Sequence, residues 1–155
     1  MLRTTPLLMV LILALITGCA STSHEPPAPG LAITPAADDT LYRALGQREG
    51  IQSLIRSFLY VIADDPRIVD QFAEAPIDRL EEKLNEMVCV IAGGPCHYSG
   101  DSMRRVHRGK HISNADFNAL VEDLIKAMDR EGIPFTVQNT LLARLAVFHG
   151  DIVHR

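Results

Sequence analysis

The chain has 155 residues, of which 47% are hydrophobic and 22% charged, and its formal net charge at pH 7 is -4. This length and balance indicate one globular domain and exclude a disordered chain or a polytopic membrane protein. The 15 basic and 19 acidic residues are interspersed along the sequence. Without a basic patch, we expect no nucleic acid partner.

The first residues are expected to be a targeting signal. Arg3 precedes an apolar run over 7–16, which small residues and Cys19 follow. The run is shorter than the roughly 20 residues that span a bilayer, so it indicates a secretory signal peptide over residues 1–18. Ile16-Thr17-Gly18-Cys19 is similar to the bacterial lipobox, which implies lipidation of Cys19 and a membrane anchor. Ala20 and Ser21 follow the cysteine and resemble the sequence of outer-membrane lipoproteins, so we expect the domain to be anchored in the outer membrane and to face the periplasm. The alternative is an ordinary signal peptide with an incidental cysteine.

Residues 19–37 are expected to form a flexible tether behind the lipidated cysteine. This stretch is rich in proline, alanine and serine and has no apolar period, a composition typical of linkers. The folded domain is then expected to span residues 38–155. That length can bury a single core without a disulfide or a metal.

The apolar residues of this domain recur at a helical period, which predicts amphipathic helices. The first three are expected to end at Asp65-Pro66, Gly93-Gly94-Pro95 and Gly132-Ile133-Pro134, and the third to begin at a cap-like Ser113. The expected apolar stripes cover, in chain order, 51–62, 77–91, 117–128 and 137–152. Four helices of this kind bury their apolar faces against one another, so the predicted fold class is all-α.

The segment 96–110 differs from the helices because it is polar and basic, with only Met103 and Val106 as apolar anchors. Loops held between helices often carry function. His107 in this segment is a residue type that can ligate a haem iron, although on spacing alone a surface histidine is the more common outcome. His107 and His111 also have the spacing of a zinc pair, but Gly109 between them favours two solvated histidines.

Cys89 and Cys96 lie seven residues apart, on either side of the Gly-Gly-Pro turn. In an oxidising compartment this arrangement favours a disulfide over two free thiols. A catalytic redox pair is the least favoured interpretation, because the spacing and the helix context differ from those of a redox motif. The sequence also lacks a glycine-rich phosphate loop and the G-x-S-x-G and H-E-x-x-H motifs, so hydrolase and kinase chemistry of those types is not expected.

A series of short motifs runs through the helical region. They are, in chain order, Leu41-Tyr42, Leu45-Gly46, Gly50-Ile51, the Ala-Asp-Asp-Pro-Arg-Ile segment 63–68 with Phe72, Gly93-Gly94-Pro95, Tyr98-Ser99-Gly100, Met103-x-x-Val106-His107-x-Gly109, and Ile112 with Phe117. In this order and spacing the region from residue 41 to residue 152 resembles the group 1 truncated haemoglobins. The resemblance implies a two-over-two helical sandwich around haem b, which agrees with the four predicted helices.

The resemblance also implies roles for individual residues. His107 corresponds to the proximal ligand of the haem iron, and Phe72 to the aromatic residue that packs on the porphyrin. The distal wall and the haem edge would be formed by Leu59, Leu80, Leu84 and Met87. Further haem contacts are expected from Met103, Val106 and Phe117. The candidate partners of the haem propionates, with a solvated charge as the alternative for each, are Lys83, Arg104 and Arg105.

The sequence departs from the family where bound oxygen would be held. The family commonly has a tyrosine in the first long helix and a glutamine in the second, and the matching positions here are Leu59 and Leu84. Tyr60 is adjacent, but one residue is about 100° of rotation on a helix, so only a bulge or a one-residue shift would restore the tyrosine. We therefore expect an apolar distal pocket. It would lack a hydrogen bond to oxygen worth about 1.5–3 kcal/mol.

The expected function is the binding of a diatomic gas, either oxygen, nitric oxide or carbon monoxide, by an exported haem protein. Turnover such as nitric oxide dioxygenation would need an electron donor, and no flavin or nicotinamide site is recognisable. A first alternative is a haem-based sensor or electron-transfer lipoprotein in which Met87 closes the sixth iron position. A second is a haem-less helical interaction module that uses His107 and His111 for zinc.

Overall fold

The computed structural model describes residues 32–155, and within that range all regular structure is helical. The helices are α1 (Thr40–Ala44), α2 (Gln47–Ala63), a 3-10 helix (Val69–Phe72), α3 (Ile77–Ile91), α4 (Met103–Val106), α5 (Asn114–Arg130), α6 (Phe135–Ala146) and α7 (His149–Ile152). The predicted all-α class is confirmed. None of the helices in this range combines the length and apolar character that crossing a membrane requires.

The long helices pack against one another around α2 and α5. Helix α2 packs against both α3 and α5, and α5 packs against α6. The most buried side chains of the core come from α2, α5 and α6 and include Leu54, Ile55, Met128 and Leu141. Each long helix turns one apolar stripe toward this core, so the pairing follows from the periodicity of the sequence.

Three long helices begin and end near their expected positions. Helix α5 starts with a capping box, because the Ser113 side chain accepts from the Asp116 amide and the Asp116 carboxylate accepts from the Ser113 amide. The fourth predicted helix is divided into α6 and α7. At the break Phe148 is buried while Val147 is 58% exposed, so the chain turns there to bring the phenylalanine into the core.

The folded unit begins upstream of the predicted boundary at residue 38. Ile33 packs against the core, and the Ala36 amide donates to the Val90 carbonyl at 3.4 Å. Gly93 has a φ of +88°, and a Cβ there would collide with the Asp38 carbonyl, so the upstream chain lies directly on the end of α3. The predicted signal peptide, Cys19 and the tether up to residue 31 fall outside the described residues.

Candidate functional site

His107 directly follows α4 and caps its C-terminal end. Its Nδ1 lies 2.8 Å from the Met103 carbonyl oxygen, so an N–H at this position donates to the backbone and leaves Nε2 with a free lone pair. Burial lowers the pKa of His107, and the charge of Lys110 lowers it further, against the opposing effect of the hydrogen bond to Met103. The half-buried imidazole is therefore neutral at pH 7 and oriented by its backbone partner, as a metal-ligating histidine requires.

The segment around His107 is hydrogen-bonded on both sides to residues near the C-terminal end of the chain. Arg104 donates from Nε and Nη2 to Oδ1 of Asp151, at 3.0 and 2.7 Å. Asp151 belongs to α7 and is 4% exposed, so this ion pair ties α4 to a buried anchor. On the other side of His107, the Gly109 amide donates to the Arg155 carbonyl at 2.9 Å. Arg104 was predicted to be a partner of a haem propionate or a solvated charge, and its pairing with Asp151, 47 residues further on, was not predicted.

Several predicted haem contacts lie together around an apolar cleft. The cleft has a volume of about 340 Å³ and is lined by Leu59, Phe72 and Leu80, with the exposed Ile77 and Tyr60 beside them. Leu59 and Phe72 also pack, as Leu84 does, against the central core cluster, which contains Met87 and Met103. The structure therefore brings Leu59, Phe72 and Leu80 to one apolar cleft, while Met87 lies in the central core and Leu84 packs against it.

Tyr60 does not take the place of Leu59. Helix α2 is continuous from Gln47 to Ala63, so no bulge rotates the tyrosine onto the Leu59 face. The Tyr60 side chain is 67% exposed. Leu59, which lines the cleft, and Leu84, which packs against the central core, carry no hydrogen-bond donor at the two positions that the resemblance matches to a tyrosine and a glutamine.

The other predicted contacts have partners within the protein. Lys83 donates to Glu82, Glu86 and Ser99 at 2.9, 3.0 and 2.6 Å, and the hydrogen bonds to Glu82 and then Glu86 raise the pKa of this lysine. A haem propionate would have to compete with those carboxylates. Arg105 lies 3.4 Å from the exposed Asp101.

Two candidate haem contacts, Phe117 and Val106, lie near the ends of their helices. Phe117 makes an edge-on ring contact with His149, with the ring centroids 4.7 Å apart. Val106, the last residue of α4, is 40% exposed.

The proposed zinc pair does not form one helical face. His111 lies beyond the end of α4, has a φ of +54° and is exposed, so the spacing from His107 is not helical. Between residues 32 and 155 no three histidine, cysteine or acidic side chains are grouped as ligands of a metal ion.

Cys89 and Cys96 are joined by a disulfide, with their Cα atoms 5.9 Å apart. The intervening turn fits closely around the bond. A Cβ on Gly94 would lie 2.5 Å from the Tyr42 ring and 2.6 Å from Sγ of Cys89. Glycine at this position therefore allows the turn, the aromatic ring and the disulfide to pack together.

The chain matches the family model of the Bacterial-like globins over residues 40–154. It is similar to the group 1 truncated haemoglobin of Tetrahymena pyriformis, with 26% identity over 100 residues, 64% of this chain and 83% of the relative. The solved Fe(III) form of a truncated haemoglobin from Tetrahymena pyriformis superposes with a TM-score of 0.72 at 23% identity, covering 74% of this chain and 98% of that one. The 2/2 haemoglobin of Synechococcus sp. PCC 7002, solved in the cyanomet state with covalently attached haem, superposes with a TM-score of 0.69 at 17% identity, with the same coverage of 74% and 98%. These likenesses confirm the two-over-two helical sandwich.

Proposed function

Because this chain belongs to the bacterial-like globin family and has the truncated globin fold, we propose that it binds haem b through His107 and takes up a diatomic gas at the iron. The observation that carries the proposal is the half-buried His107, whose Nδ1 lies 2.8 Å from the Met103 carbonyl oxygen. Bound haem would supply the iron to which the gas attaches. His107 would supply the proximal nitrogen, with the Arg104–Asp151 pair keeping α4 in position.

The apolar side chains of the cleft fit a porphyrin. Leu59, Phe72 and Leu80 are only half-buried, although all three line one apolar region. Covering such surface with another apolar body is favourable by about 25 cal/mol per Å². We therefore propose that these side chains cover the haem, with Leu84 and Met87 behind them.

The same residues predict which gases bind well. Neither Leu59 nor Leu84 can donate a hydrogen bond, and bound oxygen depends on such a donor more than nitric oxide or carbon monoxide does. A missing donor worth about 1.5–3 kcal/mol corresponds to a roughly ten- to hundredfold loss of oxygen affinity. We propose that nitric oxide or carbon monoxide is bound in preference to oxygen, and that catalytic turnover requires an electron donor outside this chain.

The proposal is tested with the purified full-length protein, titrated with haemin and then reduced under carbon monoxide. Wild-type protein should give a saturable haem band at one equivalent and a carbon monoxide adduct. His107→Ala should lose the haem or keep it only when imidazole is added, whereas His111→Ala, four residues further on and exposed, should behave as wild type. An unchanged spectrum for His107→Ala would refute the assignment.

The absorption spectrum also separates this proposal from the sensor or electron-transfer alternative. An open sixth position gives a five-coordinate spectrum in the reduced protein without added ligand. A six-coordinate spectrum that Met87→Leu abolishes would favour the alternative. Met87 is buried in the core cluster, so the leucine variant keeps the packing volume while removing the sulfur.

We further propose that the domain is exported and anchored to a membrane through Cys19. The proposal is supported by the tripartite signal and the lipobox-like Ile16-Thr17-Gly18-Cys19. Labelling of growing cells with a radioactive fatty acid, followed by membrane fractionation, should show a labelled membrane protein. Cys19→Ser should remove the label and the processing. A wild-type protein without label in the soluble fraction would contradict the anchor.

A further inference from the structure

A second pocket lies on the opposite side of α3 from the apolar cleft. It has a volume of about 420 Å³ between α2, α3 and the turn after α3, and it contains both sulfur-bearing residues of the disulfide. At about 100° per residue, the pocket residues of α3 are half a turn away from Leu80, Leu84 and Met87. The α3 residues that line the pocket are Glu82, Asn85, Glu86 and Cys89.

One polar atom of this pocket lacks a partner. Asn85 donates from Nδ2 to the Glu81 carbonyl at 2.9 Å, while its buried Oδ1 has no donor within hydrogen-bond distance among the described residues. Buried acceptors are rarely left unpaired. The pocket therefore suits a ligand that presents an N–H or O–H group to Asn85.

Charged side chains of both signs line the pocket around the disulfide. Arg48 is exposed and its Nη2 lies 3.8 Å from Sγ of Cys96. The carboxylates of Glu82 and Glu86 also line the pocket, but both accept from Lys83. Arg48 is thus positioned to stabilise a negative charge on the Cys96 sulfur.

We propose that this pocket is a thiol–disulfide exchange site, in which a small polar thiol with N–H donors and a carboxylate forms a mixed disulfide with Cys96. Cys96 is half-buried, whereas Cys89 is 3% exposed, so an incoming thiolate reaches Cys96 first. The ligand's N–H groups suit Asn85 Oδ1, and its carboxylate suits Arg48. The spacing of the cysteines gave no sign of such a role, because the pocket and Arg48 meet them only in the folded chain.

The exchange balances in two steps. In the first, the thiolate of one small thiol bonds to Sγ of Cys96, the Cys89–Cys96 bond breaks, and Cys89 leaves with the electron pair and takes a proton from water. In the second, another thiolate attacks the small-molecule sulfur of the mixed disulfide, and Cys96 leaves as a thiolate beside Arg48. Two thiols are oxidised to one small disulfide, and the protein disulfide is reduced by two electrons.

The test uses the full-length protein equilibrated with reduced and oxidised glutathione, quenched by alkylation. Mass spectrometry of the peptides that contain Cys89 and Cys96 reports the oxidation state of these two cysteines separately from that of Cys19. The folded wild-type protein should be reduced, with glutathionylated Cys96 as the intermediate. Arg48→Gln should lower the equilibrium constant for reduction about threefold at pH 8, and the difference should be smaller at pH 6, because less of the thiol is present there as thiolate. Arg130→Gln, at the end of α5 and outside the pocket, is the matched control and should leave the constant unchanged.

A second variant tests the pocket itself. Asn85→Ala should slow exchange with glutathione about three- to tenfold, while exchange with 2-mercaptoethanol, which has no N–H donor, should keep its rate. A folded protein whose disulfide resists glutathione would overturn the proposal, as would wild-type behaviour of both Arg48→Gln and Asn85→Ala. The measurement does not depend on haem, so it can succeed or fail independently of the globin function.

Discussion

The replacement Leu59→Tyr tests the apolar distal side directly. Leu59 lines the apolar cleft with Phe72 and Leu80, and it is half-buried rather than enclosed by the core. If the position faces the iron, the new hydroxyl will donate a hydrogen bond to bound oxygen.

The size of the effect follows from that hydrogen bond. A donor to a partly charged oxygen contributes about 1.5–3 kcal/mol, which corresponds to roughly ten- to hundredfold slower dissociation of oxygen. Bound carbon monoxide carries less charge on its outer atom. We therefore expect its dissociation rate to change much less than that of oxygen.

Oxygen and carbon monoxide dissociation are measured by rapid mixing of the reduced, haem-loaded protein with a competing ligand. Tyr60→Phe is the matched control, since the Tyr60 side chain is 67% exposed and the loss of its hydroxyl should leave both rates unchanged. An unaltered oxygen rate in Leu59→Tyr, together with faster oxygen dissociation in Tyr60→Phe, would refute the assignment of Leu59 to the distal side.

Three further predictions concern stability. Hydrogen bonds from the side chain and backbone of Arg67 lower the pKa of Asp65, so this carboxylate stabilises the fold above its unfolded pKa of about 4 and that stability is lost as the pH falls. Arg67→Gln should therefore differ most from wild type in urea unfolding at neutral pH and converge with it in strong acid. Ser113→Ala should remove the capping box and cost about 1 kcal/mol in urea unfolding, and a cost near zero would contradict the cap. Replacing Cys89 and Cys96 together by alanine should cost about 2–3 kcal/mol for a loop of this length, without loss of the helical circular dichroism signal.

The parts of the fold that sequence predicts well are those with local causes. Helices α2, α3 and α5 each contain an apolar stripe whose period is fixed by the helix itself. Their ends coincide with proline, glycine or a capping serine, which act within one turn of the chain. Ser113 illustrates this, because its partner Asp116 is only three residues away.

The parts that sequence missed depend on contacts between distant residues. Helix α4 has only four residues, too few for a periodic signal, and its position is fixed by the bond from Arg104 to Asp151, 47 residues further on. The division of the fourth helix follows from the burial of Phe148, which its own stripe does not reveal. In the same way, Ile33 lies in a composition typical of a linker and yet packs on the core.

Helix α3 links the two candidate sites, since it contributes Leu80 to the apolar cleft and Asn85 to the polar pocket. The segment from Cys96 to α4 is attached at three places: the disulfide at its start, the Ser99 amide on Glu86 at 2.9 Å, and the Arg104–Asp151 pair at its end. Reduction of the disulfide removes the first attachment and leaves the one next to His107. We therefore expect reduction to alter the contacts of Ser99 and Lys83 while His107 keeps its hydrogen bond to Met103. If haem binding then weakened as much as it does in His107→Ala, the anchor at Asp151 would not be what holds the proximal histidine.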